Sequence, residues 1–200
     1  MPSRHELRQL IRQRRQQLST IQQQQAAHQL AERFCGLSFL PDCQHIALYL
    51  SNDGELDTWP LIHALWQRGK QLYLPLLHPF TSGHLIFQYF QANTPMRANR
   101  FGIPEPDWSC PDVRPVAQLD LICTPLVAFD ALGNRLGMGG GFYDRTLAHY
   151  PTQNSDDQSN HKRPKLIGLA HSCQQVAAVP SEPWDVPLPA ICTPDAIFLR

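Results

Sequence analysis

Five glycines, Gly133, Gly137, Gly139, Gly140 and Gly141, stand between an apolar run, Leu119 to Phe129, and a helix-patterned segment, Phe142 to Tyr150. This succession of strand, glycine loop and helix constrains the chain more than any other feature. Leu119 to Phe129 reads as a buried strand and its exit, and glycine-dense backbone after it can approach a ligand closely. The helix that follows opens with unpaired N–H donors, so the segment has an anion-binding geometry. Arg135 and Arg145 can add cationic donors for a phosphate, and Asp144 can take a hard, oxygen-liking cation such as magnesium. The spacing Gly137, Gly139, Gly141 fails the dinucleotide-binding template because position 142 is Phe, and no Gly-Lys-Ser/Thr exists for a P-loop. A mobile loop without a ligand is the alternative that glycine content alone leaves open.

The rest of the chain alternates helical and strand patterns. Ser3 to Leu18 is helical: Leu7, Leu10, Ile11 and Leu18 share one stripe, and Arg4, Arg8, Arg12 and Arg15 line its edge. Four like charges in a row face either an anion or solvent. Ser19 and Gln22 form a capping box for a helix from Thr20 to Phe34, which Gly36 ends. His45 to Leu50 is an apolar strand, followed by a polar loop, Ser51 to Thr58, and a helix with Pro60 in its first turn and Gly69 past its end. In that loop Asp57 suits a helix cap, whereas Glu55 has no such local task.

Gln71 to Leu77 and His84 to Phe90 read as strands, and Phe101 to Pro115 as an irregular proline-rich connection. Pro151 to Pro164 is polar and of low complexity, a mobile surface loop. Lys165 to Ala170 and Ala196 to Leu199 read as closing strands. The alternation predicts one three-layer α/β domain over residues 1–200 with a mostly parallel sheet, His84 to Phe90 supplying an antiparallel piece at one edge.

Composition narrows the function classes. Formal charge is zero, with six Arg against two Glu in residues 1–35 giving +4 there and leaving −4 for the remainder. A neutral whole argues against a nonspecific nucleic-acid binder, while the basic patch suits a small, multiply anionic ligand or a solvated helix face. Met1 to Gln25 is too polar for a signal peptide or membrane span, so a cytoplasmic protein is expected. The six cysteines are scattered without a C-x-x-C pair and read as reduced thiols, Cys123 and Cys192 as small hydrophobes within strands. The nine histidines show no zinc spacing, and His171, after a strand, reads as structural.

The run Arg135-Leu-Gly-Met-Gly-Gly-Gly-Phe-Tyr-Asp-Arg145 closely resembles the signature of the 5-formyltetrahydrofolate cyclo-ligases, also called methenyltetrahydrofolate synthetases, in their bacterial form. Four further blocks match in order: Arg4-His-Glu-Leu-Arg8, Leu50-Ser-Asn-Asp-Gly-Glu-Leu-Asp-Thr58, Phe101-Gly-Ile-Pro-Glu-Pro106 and Val179-Pro-Ser-Glu-Pro-Trp-Asp185. The resemblance implies the fold shared with ribose-phosphate isomerases and CoA transferases. It also implies ATP-dependent closure of 5-formyltetrahydrofolate to 5,10-methenyltetrahydrofolate, with ADP and phosphate released.

By position, it assigns ATP to Arg4, His5, Glu6, Leu7 and Arg8 and to Arg135, Leu136, Gly137, Met138, Gly139, Gly140, Gly141, Phe142 and Tyr143. Leu50, Glu55 and the stretch Met138 to Phe142 fall to the folate, Asp144 and Asp185 to magnesium. Asp144 and Arg145 are the catalytic pair, Arg145 as a clamp on the γ-phosphate. From the residues alone, Asp185 could simply order the proline-rich turn around it. The chain departs from many relatives in having Arg4 for Lys and Phe142 for Tyr, and from eukaryotic ones in having Gly140 for Lys. A monomer acting on small molecules, without nucleic-acid or membrane partners, is expected. The rivals are a phosphosugar isomerase or CoA-transferase-like enzyme on the same fold, a noncatalytic folate-binding or folate-buffering protein, and an RNA binder using the N-terminal arginines.

Overall fold

A computed structural model describes residues 2–148, 164–182 and 185–200. The surface loop expected at 151–164 therefore lies outside the described residues, except for its last residue, Pro164. Two helices open the chain, α1 (Arg4–Gln16) and α2 (Thr20–Cys35). Ser3 and Ser19 cap them through reciprocal capping boxes with Glu6 and Gln22, the second as its sequence predicts. Strand β1 (His45–Ala47) leads through the polar loop to α3 (Trp59–Gln67), where the Asp57 carboxylate accepts the Trp59 N–H at 3.0 Å. Then come β2 (Gln71–Leu77), β3 (Leu85–Phe90), β4 (Met96–Ala98), β5 (Pro104–Pro106) and β6 (Val113–Arg114). The chain continues with β7 (Leu121–Pro125), β8 (Ala128–Phe129), β9 (Arg135–Leu136), α4 (Phe142–Leu147), β10 (Lys165–Leu169), β11 (Ala190–Cys192) and β12 (Ile197–Leu199).

Among the described residues, eight strands form one sheet in the order β12-β11-β10-β7-β1-β2-β3-β6. The pairs from β11 through β10, β7 and β1 to β2 are parallel, and β3 is antiparallel to β2, as the partial alternation of His84 to Phe90 allows. A second antiparallel edge, β12 on β11, stands opposite. The central strands are apolar on both faces, as a covered parallel sheet requires. Leu121 and Cys123 face a core built with Leu30 and Phe34 of α2 and Leu61, Ile62 and Leu65 of α3, while Ile122 faces the other core with Phe87 and Leu147. Helices thus cover both sides of a mostly parallel sheet, an α/β fold.

α1 differs from its expected pattern. Leu7 and Ile11 are buried, but Leu10 is exposed and Arg15, expected at the edge of the stripe, is buried in its next turn. Residues i, i+4 and i+8 share a face, so Arg15 follows Leu7 and Ile11 into the core side. The proline-rich connection is also more ordered than its composition predicts: β4 and β5 pair as a hairpin over residues 96–106. At its tip the Asn99 side-chain oxygen accepts from Phe101 N and Ile103 N, and Gly102 takes φ +74.

Candidate active site

The glycine loop is set by the hairpin that precedes it. Asp130, buried, accepts the Leu132 and Asn134 N–H groups at 3.0 and 3.1 Å with one oxygen and the Val179 N–H at 3.0 Å with the other. This carboxylate fixes the β8–β9 turn and so delivers Arg135 and Leu136 to the loop entrance. Gly133 belongs to that turn: at φ +79 its Cα packs against the Leu188 carbonyl oxygen, and its own carbonyl accepts the Leu188 N–H. Its glycine requirement comes from that packing. Gly139 and Gly141 take φ +101 and +62, values that favour glycine. From Gly137 to Asp144 no backbone N–H donates to an acceptor among the described residues.

Two cavities meet on this loop, and Gly137, Gly141 and Asp144 line both. The first, about 440 Å³, is walled by Tyr49, Leu50, Leu74, Phe101, Ile103, Phe142 and Tyr143, with Asn52, Asp53, Glu55, Asn99, Glu105, Arg135 and Asp144 as its polar groups. The second, about 520 Å³, is lined by Arg4, Arg8, Gly139, Arg145, Glu182 and Asp185. An apolar cavity with a few polar groups suits a flat organic ligand, and an arginine-lined one suits phosphates.

The charged groups of the second cavity are partly paired with each other. Arg4 grips Asp185 with two bonds, 2.8 and 3.1 Å. Burial raises the Asp185 pKa, but the Arg4 bond and charge, the Glu182 N–H and the Arg135 charge outweigh it, so its carboxyl sits below the ordinary range. Arg135, buried, holds Asp144 at 2.5 Å while its Nε has no acceptor among the described residues. Arg8 donates through Nε to the Gly137 carbonyl at 2.8 Å. Burial first, and the adjacent Arg4 charge second, press the Arg8 pKa down. The Asp185 charge opposes this without offsetting it. Arg145 bonds the carbonyls of Gly83 (2.9 Å) and Gly140 and lies over the Phe142 ring, tying the loop to the 81–83 turn.

In the first cavity Glu55 is half-buried and accepts the Asn52 N–H at 3.1 Å, a local partner that its sequence context had not suggested. Desolvation dominates there and pushes its pKa up to about 7, against the Asn52 bond and the Arg15 charge, which lower it. Tyr143 is partly buried, its hydroxyl is without a partner among the described residues, and desolvation pushes its pKa up. Phe101 meets Phe142 edge-on, ring centres 5.9 Å apart, so the hairpin tip roofs the cavity over the glycine loop.

Of the residues expected at the site, Leu50, Glu55, Arg135, Met138, Gly140, Phe142 and Tyr143 line the first cavity, and Arg4, Arg8, Gly139, Arg145 and Asp185 the second. His5 and Glu6 are exposed and line neither; Leu7 and Leu136 are core residues. Sequence reading missed Asn99, Ile103 and Glu105, which the hairpin carries in, and Glu182. The quoted block Phe101 to Pro106 was the available signal for the hairpin; for Glu182 it was its place three residues before Asp185.

Comparison with known proteins decides the family. A model of the 5-formyltetrahydrofolate cyclo-ligase family matches residues 1–194. The chain belongs to this family. It is 46% identical over 189 residues to the 5-formyltetrahydrofolate cyclo-ligase of Escherichia coli K12, covering 94% of this chain and 99% of that protein. The cyclo-ligase of Haemophilus influenzae is 46% identical over 185 residues, 92% of this chain and 94% of that one. Among solved structures, the 5,10-methenyltetrahydrofolate synthetase of Aquifex aeolicus superposes with a TM-score of 0.79 at 26% identity, covering 98% of this chain and 92% of that one. As a member of the cyclo-ligase family the chain is an enzyme. Among the described residues no helix is long and apolar enough to cross a membrane.

Proposed function

We propose that this enzyme closes 5-formyltetrahydrofolate to 5,10-methenyltetrahydrofolate at the expense of ATP, with the folate in the apolar cavity and the nucleotide phosphates in the arginine-lined one. The observation that carries this reading is the shared wall: the loop from Gly137 to Gly141, with its backbone N–H groups unclaimed among the described residues, separates the two cavities and borders both. A reaction that joins a formyl oxygen to a γ-phosphate needs two such adjoining spaces.

The chemistry follows from the leaving group. Ring closure by direct loss of hydroxide from the N-formyl carbon is steep. Attack of the formyl oxygen on the γ-phosphorus, with departure of ADP, gives an iminium phosphate at N5. N10 then attacks the formyl carbon, its proton is released, and phosphate leaves with the former formyl oxygen. No side chain need act as a nucleophile, so alignment and charge stabilisation carry the catalysis. Arg145 and Arg8 supply donors to the phosphates, and the N–H groups of the glycine loop supply more. Glu55, when ionised, accepts hydrogen bonds from the pterin's amino and ring N–H groups, and Phe101 and Phe142 pack against its rings.

Magnesium fits the second cavity as a companion of the phosphates. Among the described residues no three His, Cys, Asp or Glu gather into a metal cage. Magnesium held with nucleotide phosphates needs only one or two carboxylates. Asp144 and Asp185, both lining that cavity, are the residues that would hold it. When bound, the ion would neutralise charge that develops on the transferring phosphoryl group.

The test is the fate of the formyl oxygen. With ¹⁸O in the formyl group, the released inorganic phosphate should carry the label; label appearing in water instead would overturn the phosphorylated intermediate.

A further inference from the structure

The far end of α1 carries an arginine that the nucleotide cavity does not use. Arg15 is 1% exposed, and its Nη2 donates to the Asp53 carboxylate at 3.3 Å. Arg12 grips the other oxygen of Asp53 at 2.8 Å. The Nε and Nη1 of Arg15 have no acceptor among the described residues, and neither has Nε2 of His171, itself 2% exposed. Asp53 takes φ +50, the one left-handed residue besides glycine among the described residues, and Gly54 follows at φ +73. A residue with a Cβ stays in that region only where its surroundings hold it there. The next residue is Glu55, so the clamp on Asp53 sets where the Glu55 carboxylate stands.

We infer that Arg15 is a positioning residue for the folate cavity: anchored on Asp53, it holds the left-handed turn that presents Glu55 and keeps a positive charge behind that carboxylate. This rests on the reading of Glu55 as the folate-binding carboxylate. A buried guanidinium with two donor atoms unclaimed among the described residues is costly to fold, and Arg15 is the one buried arginine of α1. Its electrostatic role follows from its neighbours. Glu55 is faced by Arg15 from α1, Asp53 from its own loop, Tyr49 from the strand before it, Tyr143 from α4 and His171 from beyond β10. Both tyrosines have pKa values raised by burial, and His171 is pushed down to about 4, by burial first and then by Arg15. These three stay neutral near pH 7, so Arg15 is the cation and Asp53 the anion that act on Glu55 beside the larger effects of burial and the Asn52 bond.

The test is equilibrium binding of 5-formyltetrahydrofolate without nucleotide, measured by calorimetry from about pH 5.5 to about pH 9. Wild-type affinity should strengthen with rising pH, with a midpoint near the Glu55 value of about 7. Arg15→Met should weaken binding about tenfold at neutral pH and move the midpoint upward by about one unit, because the carboxylate loses its cation. Arg15→Lys, which keeps the charge, should return the midpoint toward wild type. A simple packing role for Arg15 would weaken binding without moving the midpoint, and that result, or an unchanged profile in Arg15→Met, overturns the inference. Glu55→Gln separates the two layers: it should abolish the midpoint, and if it leaves the profile intact the Glu55 reading itself fails and the inference falls with it. Should Arg15→Met not fold, Asp53→Asn decides, a weakened affinity with a lowered midpoint supporting the inference and an unchanged profile overturning it.

Discussion

Arg4 and Asp185, 181 residues apart in the chain, meet in a two-bonded ion pair at 2.8 and 3.1 Å. The pair ties the first turn of α1 to the segment before the last two strands and closes one side of the arginine-lined cavity. Both partners are candidates for a nucleotide complex, Arg4 for phosphate and Asp185 for its magnesium. Their mutual pairing keeps each partly neutralised before the nucleotide arrives.

Arg8 sits one turn on, with a single bond to the Gly137 carbonyl and no anion of its own among the described residues. Arg8→Ala should therefore raise KM for ATP about tenfold while KM for the folate changes by less than about twofold, a loss of roughly one charge-assisted bond. Circular dichroism should show the fold intact. Equal effects on both substrates in steady-state kinetics would return Arg8 to the role of a solvated helix charge.

Asp144 and Arg145 are neighbours of opposite charge, and the proposed function gives them opposite electrostatic tasks. Asp144→Asn should raise the magnesium requirement, so that extra magnesium partly restores turnover. It should also destabilise the protein, by about 2 kcal/mol in denaturant unfolding, because buried Arg135 loses its carboxylate partner. Arg145→Ala removes a donor to the transferring phosphoryl group and should cost about 3 kcal/mol, or roughly a hundredfold in rate, with no repair by magnesium. Titrating magnesium against turnover for both variants checks the assignment; rescue of Arg145→Ala alone would reverse it.

Glu55 gives a pH-dependent prediction. Its pKa in the folded protein is raised to about 7 from an ordinary 4.5, so between those values the native state holds a proton that the unfolded chain releases. Stability from this group is then present in acid and falls as pH rises through about 7. Glu55→Gln should weaken folate binding and leave ATP affinity nearly unchanged. The same change should raise stability at pH 8 by on the order of 1–3 kcal/mol and do little near pH 4.5. A variant no more stable than wild type at pH 8, by thermal unfolding, would remove the argument from burial.

The glycines divide by role. Gly133→Ala would drive a Cβ into the Leu188 carbonyl at φ +79, and should cost 2 kcal/mol or more, about a fifth of a typical domain's stability. In Gly139→Ala the nearest neighbour of the new Cβ is the flexible Arg8 guanidinium, at 3.5 Å, but the residue must hold φ +101. It should fold with about 1–2 kcal/mol of backbone strain and lose ATP affinity. Thermal unfolding and nucleotide titration of the two variants distinguish them.

The sequence made the strands legible where both faces are buried: Gln71 to Leu77 appears with the expected bounds, and Leu121 to Pro125 and Lys165 to Leu169 within the expected runs. Local capping signals did the same for α2. The hairpin at 96–106 was not legible, because its order comes from Asn99 side-chain bonds and from Glu105 accepting the Leu77 N–H across the fold. Arg15 was misplaced for a related reason: periodicity put it at the edge of a stripe, and only the distant partner Asp53 explains its burial. At the site, glycines and arginines in one block pointed to the loop that borders both cavities, whereas the cavity roof and Glu182 required the tertiary arrangement.

The central claim is that the two cavities joined by the glycine loop perform one ATP-driven cyclisation. Purified protein with 5-formyltetrahydrofolate and magnesium ATP, followed by ultraviolet absorbance, tests it most directly. The account predicts growth of the conjugated methenyl product, stoichiometric with ADP, and its loss when ATP is omitted. Product formed at the same rate without ATP, or folate bound with no product in its presence, would contradict it.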